Sequence, residues 1–186
     1  MNDAATGAEI VRFSHVSKHY PGTLANDDVS LTIRRGEVFA LVGENGAGKS
    51  TLMNLLYGLQ APTLGEIYIK GKPTGPQHGP ENAMHMGVSM VHQHFKLVPS
   101  FTVAQNVMLG HEPRRGLFYD GHEAEETVRR LSAEYGLKVE PGDVVRDLSV
   151  GIQQRVEILK ALRTGADVLI LDEPTAVLTP QEAEEL

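Results

Sequence analysis

VFALVGENGAGKST, residues 38–51, joins an apolar run to a glycine-rich loop and a helix start. Its first five residues are an unbroken apolar run of strand length, the pattern of a strand covered on both faces. The next nine, GENGAGKST (43–51), fit the pattern G-x-x-x-x-G-K-[ST]. The stretch STLMNLLYG then reads as a short helix closed by Gly58. Strand, glycine-rich loop and helix in this order are the context a phosphate-binding loop requires. Gly43, Gly46 and Gly48 permit backbone geometry and close approach that a side chain would block, while Glu44, Asn45 and Ala47 complete the loop. Backbone N–H groups from Gly46 to Thr51 are expected to face phosphate oxygens, aided by the positive end of the helix. Lys49 is expected to reach the β- and γ-phosphates, and Ser50 to offer its hydroxyl to Mg²⁺.

A second stretch supplies what the loop lacks. VLILDEP (168–174) is an apolar strand that delivers Asp172 and Glu173 to its C-terminal end, where open α/β sheets bind ligands. Asp172 is placed to hold the metal through water and Glu173 to polarise an attacking water. Read without the upstream loop, the two carboxylates equally fit a capped turn before Pro174. Gln93, in MVHQHF (90–95), follows another buried strand and can reach both Mg²⁺ and the attacking water, although loop glutamines are common. His92 and His94 bracket it on one strand face, but with no cysteine and no clear third ligand the pair is not read as a zinc site.

The rest of the chain fills in around these stretches. Residues 1–9 read as a loose tail. IVRFSHV (10–16), the alternating VSLTI (29–33) and GEIYIKGKP (65–73), with a Gly-Lys turn, read as strands. PTGPQHGPEN (73–82) reads as loop and GVSMVHQ (87–93) as a buried strand. Thr102 caps a helix over VAQNVML. HEAEETVRRLSAEY (122–135) is an amphipathic helix closed by Gly136, and 151–163 is a third helix. Thr179, Pro180 and Glu182 in LTPQEAEEL (178–186) form a capping box for a helix that starts and does not finish, so the chain is expected to be the front part of something longer.

Bulk properties narrow the function classes. With 186 residues, 41% of them hydrophobic, the chain suffices for one compact domain. A net charge of −7 without a basic block argues against nucleic acid as partner. There are no cysteines, the start is polar and unlike a secretory signal, and the longest apolar runs fall far short of the ~20 residues of a membrane helix. A soluble protein is expected; if it works at a membrane, a partner does the spanning.

LSVGIQQRVEILKAL (148–162) poses a separate question. Ser149 fits an ordinary N-cap. Together with the N–H groups of Gly151 and Ile152 it also fits an anion site at a helix N-terminus. One bound nucleotide needs one phosphate cradle, so a second site makes sense only if it serves a neighbour's nucleotide. Val150 is β-branched and is expected in an ordinary backbone region, leaving close approach to phosphate to Gly151.

Taken together, these residues resemble an ABC transporter ATPase. GENGAGKST is its Walker A loop, Gln93 its Q-loop, LSVGIQ (with Ser149, Gly151 and Gln153) its signature and VLILDE its Walker B, all in family order. Tyr20, in KHYPG, falls where the family has an aromatic residue that stacks on adenine. MVHQHFKLVPSFTVAQNV and LSVGIQQRVEILKAL are similar to the bacterial simple-sugar and nucleoside importers, with HQHF and LSVG closer to the nucleoside type. The resemblance implies an α/β fold: a P-loop NTPase core with a mostly parallel sheet, a small N-terminal antiparallel β-subdomain and a helical signature subdomain at roughly 100–165. The ATPase domain would span 10–186 and be incomplete at its C-terminus. ATP and Mg²⁺ are the implied cofactors. Glu173, Lys49 and Gln93 are the implied catalytic residues, with Ser50, Gln93 and Asp172 around the metal. The implied partners are a second ATPase domain, fused C-terminally in a head-to-tail sandwich, membrane permease subunits and, indirectly, an extracytoplasmic solute-binding protein. No nucleic-acid partner is implied. The implied location is the cytoplasmic face of the inner membrane.

Three departures stand out. Val150 replaces a signature glycine, Thr179 ends AVLT where the family's D-loop ends in Asp, and no histidine follows His122 to serve as the family's switch histidine. Two alternatives remain: a soluble ABC ATPase acting on ribosomes or DNA, and an inactive nucleotide-binding fragment.

Overall fold

The computed structural model describes residues 7–93 and 95–174. The chain forms two compact units, Met1–Val88 and Ser89–Leu186.

The first unit is built on a long hairpin. β1 (Glu9–Tyr20) and β2 (Thr23–Arg34) meet through Pro21 and Gly22. Proline presets the first turn residue, and Gly22 takes φ 78°, a conformation glycine adopts without penalty. β3 (Leu64–Ile69) pairs with the other edge of β1, and β4 (Lys72–Pro73) folds back on β3. That last turn places Lys70 and Gly71 at φ 51° and 73°, the geometry of a tight hairpin turn. The sheet order is β2-β1-β3-β4, with every pairing antiparallel. Val11 faces Ile69 and Phe13 faces Ile67 across the β1–β3 register, and all four are buried. Over Val29–Ile33, β2 alternates half-buried and exposed residues, as the VSLTI pattern requires.

α1 (Lys49–Tyr57) buries Leu52, Leu55 and Leu56 and stops at Gly58, φ 79°. α2 (Pro80–His85) occupies part of the stretch expected to be loop. Pro80 stands at its first position, where a missing N–H costs nothing. The expected buried strand at 38–42 is corrected outright: Val38 and Val42 are 98% and 88% exposed. An apolar run becomes a covered strand only beside hydrogen-bonding neighbours, and among the described residues no strand pairs with it.

The second unit contains β5 (Val88–Val91, which begins at the boundary), α3 (Val103–Met108), the two-residue strands β6 (Arg114–Arg115) and β7 (Phe118–Tyr119), α4 (Gly121–Tyr135), α5 (Val150–Leu162) and β8 (Val168–Leu171). β5 pairs with β8. All four β5 residues are buried, whereas Ile170 alone is fully buried in β8, which is therefore less covered than expected. The three helices share one core, with Val103, Val107, Val128, Val156 and Leu159 at its centre. A capping box starts α3: Thr102 Oγ1 accepts from Gln105 N–H at 3.2 Å, and Gln105 Oε1 accepts from Thr102 N–H at 2.9 Å. Asn106, fully buried, accepts from Val98 N–H at 2.7 Å and donates to the carbonyls of Val98 and Thr102, which fixes the approach of the chain to α3. α4 ends at Gly136, φ 69°, as expected. Among the described residues no helix is long and apolar enough to cross a membrane. His94 and the expected capping box around Thr179 lie outside the described residues.

Candidate functional site

The phosphate loop lies in the first unit, mostly exposed, and ends at Gly48, the N-cap of α1. Gly48 has φ 85°, and a Cβ there would sit 2.2 Å from the Ala25 carbonyl oxygen of β2. Glycine is required on both counts. Gly46, φ 81°, is required by conformation alone, because no atom lies within 4 Å of its hypothetical Cβ. Gly43 is the least constrained: a Cβ would make ordinary contact with Ala47 at 3.4 Å. Lys49 Nζ donates to the carbonyls of Gly43 and Glu44, both at 2.8 Å, so the lysine lies along its own loop. Ala47 N–H is turned back onto Glu44 O at 3.2 Å. That amide closes a turn within the loop. Ser50 and Thr51 open the first turn of α1.

Asn26 supports this loop from β2. It is 8% exposed, and its Nδ2 donates to Gly48 O at 3.2 Å. Tyr20, at the end of β1, donates its hydroxyl to Gln60 Oε1, and Lys18 Nζ lies 5.2 Å from the ring centroid. Tyr20 is 36% exposed, so part of the ring is open for stacking.

In the second unit the carboxyl ends of β5 and β8 lie side by side, joined by Asp172 N–H to Val91 O at 3.1 Å. Gln93 comes just after one strand, and Asp172 and Glu173 just after the other. Gln93 Nε2 donates to Glu173 Oε2 at 2.9 Å. Glu173 takes φ 50°, a strained conformation for a residue with a side chain, held by its surroundings. Asp172 carboxylate and Gln93 amide oxygens are hard donors of the kind Mg²⁺ prefers, as is the Ser50 hydroxyl in the first unit. Burial pushes the His92 imidazole below its ordinary pKa, as does Lys96, against an opposing pull from Asp172.

At the start of α5, Ser149 acts as an N-cap, its Oγ accepting from Ile152 N–H at 3.4 Å. Val150 opens α5, one residue earlier than the helix expected over 151–163 and in the ordinary backbone region expected of it; it is exposed, whereas Gly151 is buried. Gln153 Nε2 is held by Leu148 O at 3.0 Å.

The sequence matches the ABC transporter family over residues 26–176. The chain belongs to the ABC transporter family. Among relatives of this ABC chain, the nucleoside import ATP-binding protein NupA of Lactococcus lactis subsp. cremoris (strain MG1363) is 52% identical over 95% of the chain and 35% of its own length. The guanosine import ATP-binding protein NupO of Bacillus subtilis (strain 168) is 50% identical over 95% and 34%. The ribose import ATP-binding protein RbsA 3 of Rubrobacter xylanophilus (strain DSM 9941 / JCM 11954 / NBRC 16129 / PRD-1) is 51% identical over 95% and 36%. The chain spans about a third of the length of these curated relatives. Among solved structures, the ADP conformation of MJ1267, an ATP-binding cassette of an ABC transporter, is similar with a TM-score of 0.82 and 26% identity, over 96% of this chain and 74% of that one. The dimeric structure of MJ0796, a bacterial ABC transporter cassette, gives 0.77 and 29%, over 95% and 79%.

The fold is thus the ABC ATPase cassette, with an N-terminal antiparallel β-subdomain. Sequence reasoning named the loop, Gln93, Asp172 and Glu173 but passed over Asn26, Gln60 and Lys18. Asn26 precedes the alternating VSLTI stretch (29–33), and no local pattern marks it.

Proposed function

We propose that this chain is the first ATP-binding and hydrolysing domain of an importer for a small polar solute, of the nucleoside or simple-sugar class. The observation that carries the reading is the paired chemistry: a phosphate loop built around Gly48 and Lys49, and Gln93 hydrogen-bonded to Glu173 at the ends of β5 and β8. The printed names of relatives at 50–52% identity support the solute class.

In this reading Lys49 exchanges its loop carbonyls for the β- and γ-phosphates of ATP, and the amides at the start of α1 orient them. Gln93 and Asp172 in the second unit, and the Ser50 hydroxyl in the first, each offer an oxygen suited to Mg²⁺, which neutralises phosphate charge when bound. Glu173 orients and polarises the attacking water, with Gln93 fixing the carboxylate. Tyr20 stacks on adenine, and Gln60 fixes its hydroxyl. Ser149, Gly151 and Gln153 serve the γ-phosphate of a neighbouring ATPase domain in a head-to-tail sandwich. That domain is fused C-terminally, which fits a chain spanning about a third of its relatives. Closure of the sandwich drives permease subunits at the cytoplasmic face of the membrane, and an extracytoplasmic binding protein supplies the solute.

The test is uptake of radiolabelled nucleosides and ribose by cells carrying the full transporter, wild type or Lys49→Ala. The variant should lose both uptake and ATP binding. Wild-type uptake with Lys49→Ala, or uptake of neither solute class by the wild type, would end this reading.

A further inference from the structure

α5 carries a group that its apolar pattern does not call for. Val156, Ile158 and Leu159 are buried, and among them stands Glu157, only 7% exposed. An apolar residue there would add to the core, and a buried carboxylate is costly unless its oxygens are hydrogen-bonded. Burial indeed pushes its pKa above the ordinary carboxylate range, against the opposing pull of Lys160 and of the Lys96 amide and charge.

The partner of Glu157 lies 61 residues away in the chain. Lys96 N–H donates to Glu157 Oε1. The carbonyl of the same residue accepts from Lys160 Nζ at 2.9 Å. Glu157 and Lys160 are three residues apart on α5 and so share a face. Both polar groups of one backbone residue are therefore gripped by one turn of one helix.

Lys96 comes three residues after Gln93, and α5 is the helix that Ser149 caps. Gln93 is itself anchored to Glu173 at 2.9 Å. Gln93 is thus tied to the Walker B carboxylate and Lys96, three residues on, to the signature helix.

We propose that Glu157, with Lys160, clamps the Lys96 backbone to α5 and so acts as a positioning residue for Gln93. The proposal rests on the role given to Gln93 above. Glu157 touches no reacting atom. It makes the Lys96 backbone move with the signature helix, so that engagement at Ser149 alters the Gln93–Glu173 contact three residues upstream. A neutral amide at 157 keeps the acceptor oxygen and preserves the clamp, whereas alanine removes it.

The experiment uses the full polypeptide in its assembled transporter. It measures hydrogen exchange at the Lys96 amide together with steady-state ATP hydrolysis, in Glu157→Ala, Glu157→Gln, Gln93→Ala and the Glu157→Ala/Gln93→Ala double variant. Glu157→Ala should speed Lys96 exchange by about tenfold or more, because a buried hydrogen bond is lost locally. It should lower kcat by about tenfold while KM for ATP stays within about twofold, since positioning and not nucleotide binding is affected. Glu157→Gln should recover most of both losses, and Glu157→Ala should add nothing to Gln93→Ala. Should Glu157→Ala fail to fold, Lys160→Met removes the carbonyl half of the grip at a partly exposed position, and the same two readouts should move in the same direction. Unchanged exchange, unchanged kcat, or a full additional loss in the double variant would overturn the clamp. A Gln93→Ala variant with wild-type kcat would instead overturn the role of Gln93, and with it the purpose of the clamp.

Discussion

Gly48→Ala isolates the contact on which the phosphate loop depends. Two costs add at this position. Holding alanine at φ 85° costs about 1–2 kcal/mol, because its Cβ crowds the following carbonyl. The new Cβ would also lie 2.2 Å from Ala25 O and 2.7 Å from Asn26 Nδ2. Ordinary contact begins near 3.4 Å. Backbone must therefore yield by about 1.2 Å, and overpacking of this kind costs about 1–3 kcal/mol. Gly46→Ala is the matched control. Its φ is 81°, close to that of Gly48, but nothing stands within 4 Å, so only the first cost applies in the nucleotide-free protein. Urea unfolding without nucleotide should show Gly48→Ala to be less stable than Gly46→Ala by about 1–3 kcal/mol, the overpacking cost. A fluorescent ATP analogue should bind Gly48→Ala more weakly than wild type, because the displaced loop no longer presents its amides to the phosphates. Equal stability of the two variants, or wild-type nucleotide affinity in Gly48→Ala, would refute the argument that β2 and the loop meet at Gly48.

Three further outcomes can be measured. Thr102→Ala removes the acceptor at the start of α3 and should lower stability by about 1 kcal/mol, read from the unfolding midpoint, with Gln105→Ala adding less than its own separate cost. Glu157, whose pKa is raised, binds more protons folded than unfolded, so its contribution to stability is full below the ordinary carboxylate range and is lost as pH rises through the raised value. Glu157→Gln does not titrate, and its melting temperature relative to wild type should therefore rise as pH increases above the ordinary carboxylate range; a constant difference would contradict this. Gly151→Asp in the full polypeptide should stop hydrolysis and leave ATP affinity intact, measured by phosphate release and nucleotide titration; wild-type hydrolysis would remove the signature from the mechanism.

The parts legible in the sequence were those whose determinants are local. Residues 43–51 announce their turn, their glycines and their helix within one short window, and Thr102, Gly136 and Ser149 mark helix ends for the same reason. What escaped depends on distant partners. Asn26 meets Gly48, Tyr20 meets Gln60 and Glu157 meets Lys96 across 22, 40 and 61 residues, and no period or motif encodes such pairings. The β6–β7 hairpin has two residues per strand, too few for alternation to register. At α2, the proline and glycine content of 73–82 read as loop and hid Pro80, which is a helix start. The apolar run 38–42 shows the converse. Its pattern states what a strand is suited to bury, not whether a neighbour pairs with it, and the described residues leave it exposed.

In the proposed mechanism Glu173, positioned by Gln93, turns a phosphate-binding cassette into an ATP hydrolase. Glu173→Gln in the full polypeptide tests it most directly, by nucleotide titration and steady-state phosphate release on the same preparation. ATP affinity should stay within about threefold of wild type and hydrolysis should fall by about a hundredfold or more, the scale of a lost general base. Hydrolysis near the wild-type rate, or loss of ATP binding in parallel with hydrolysis, would contradict it.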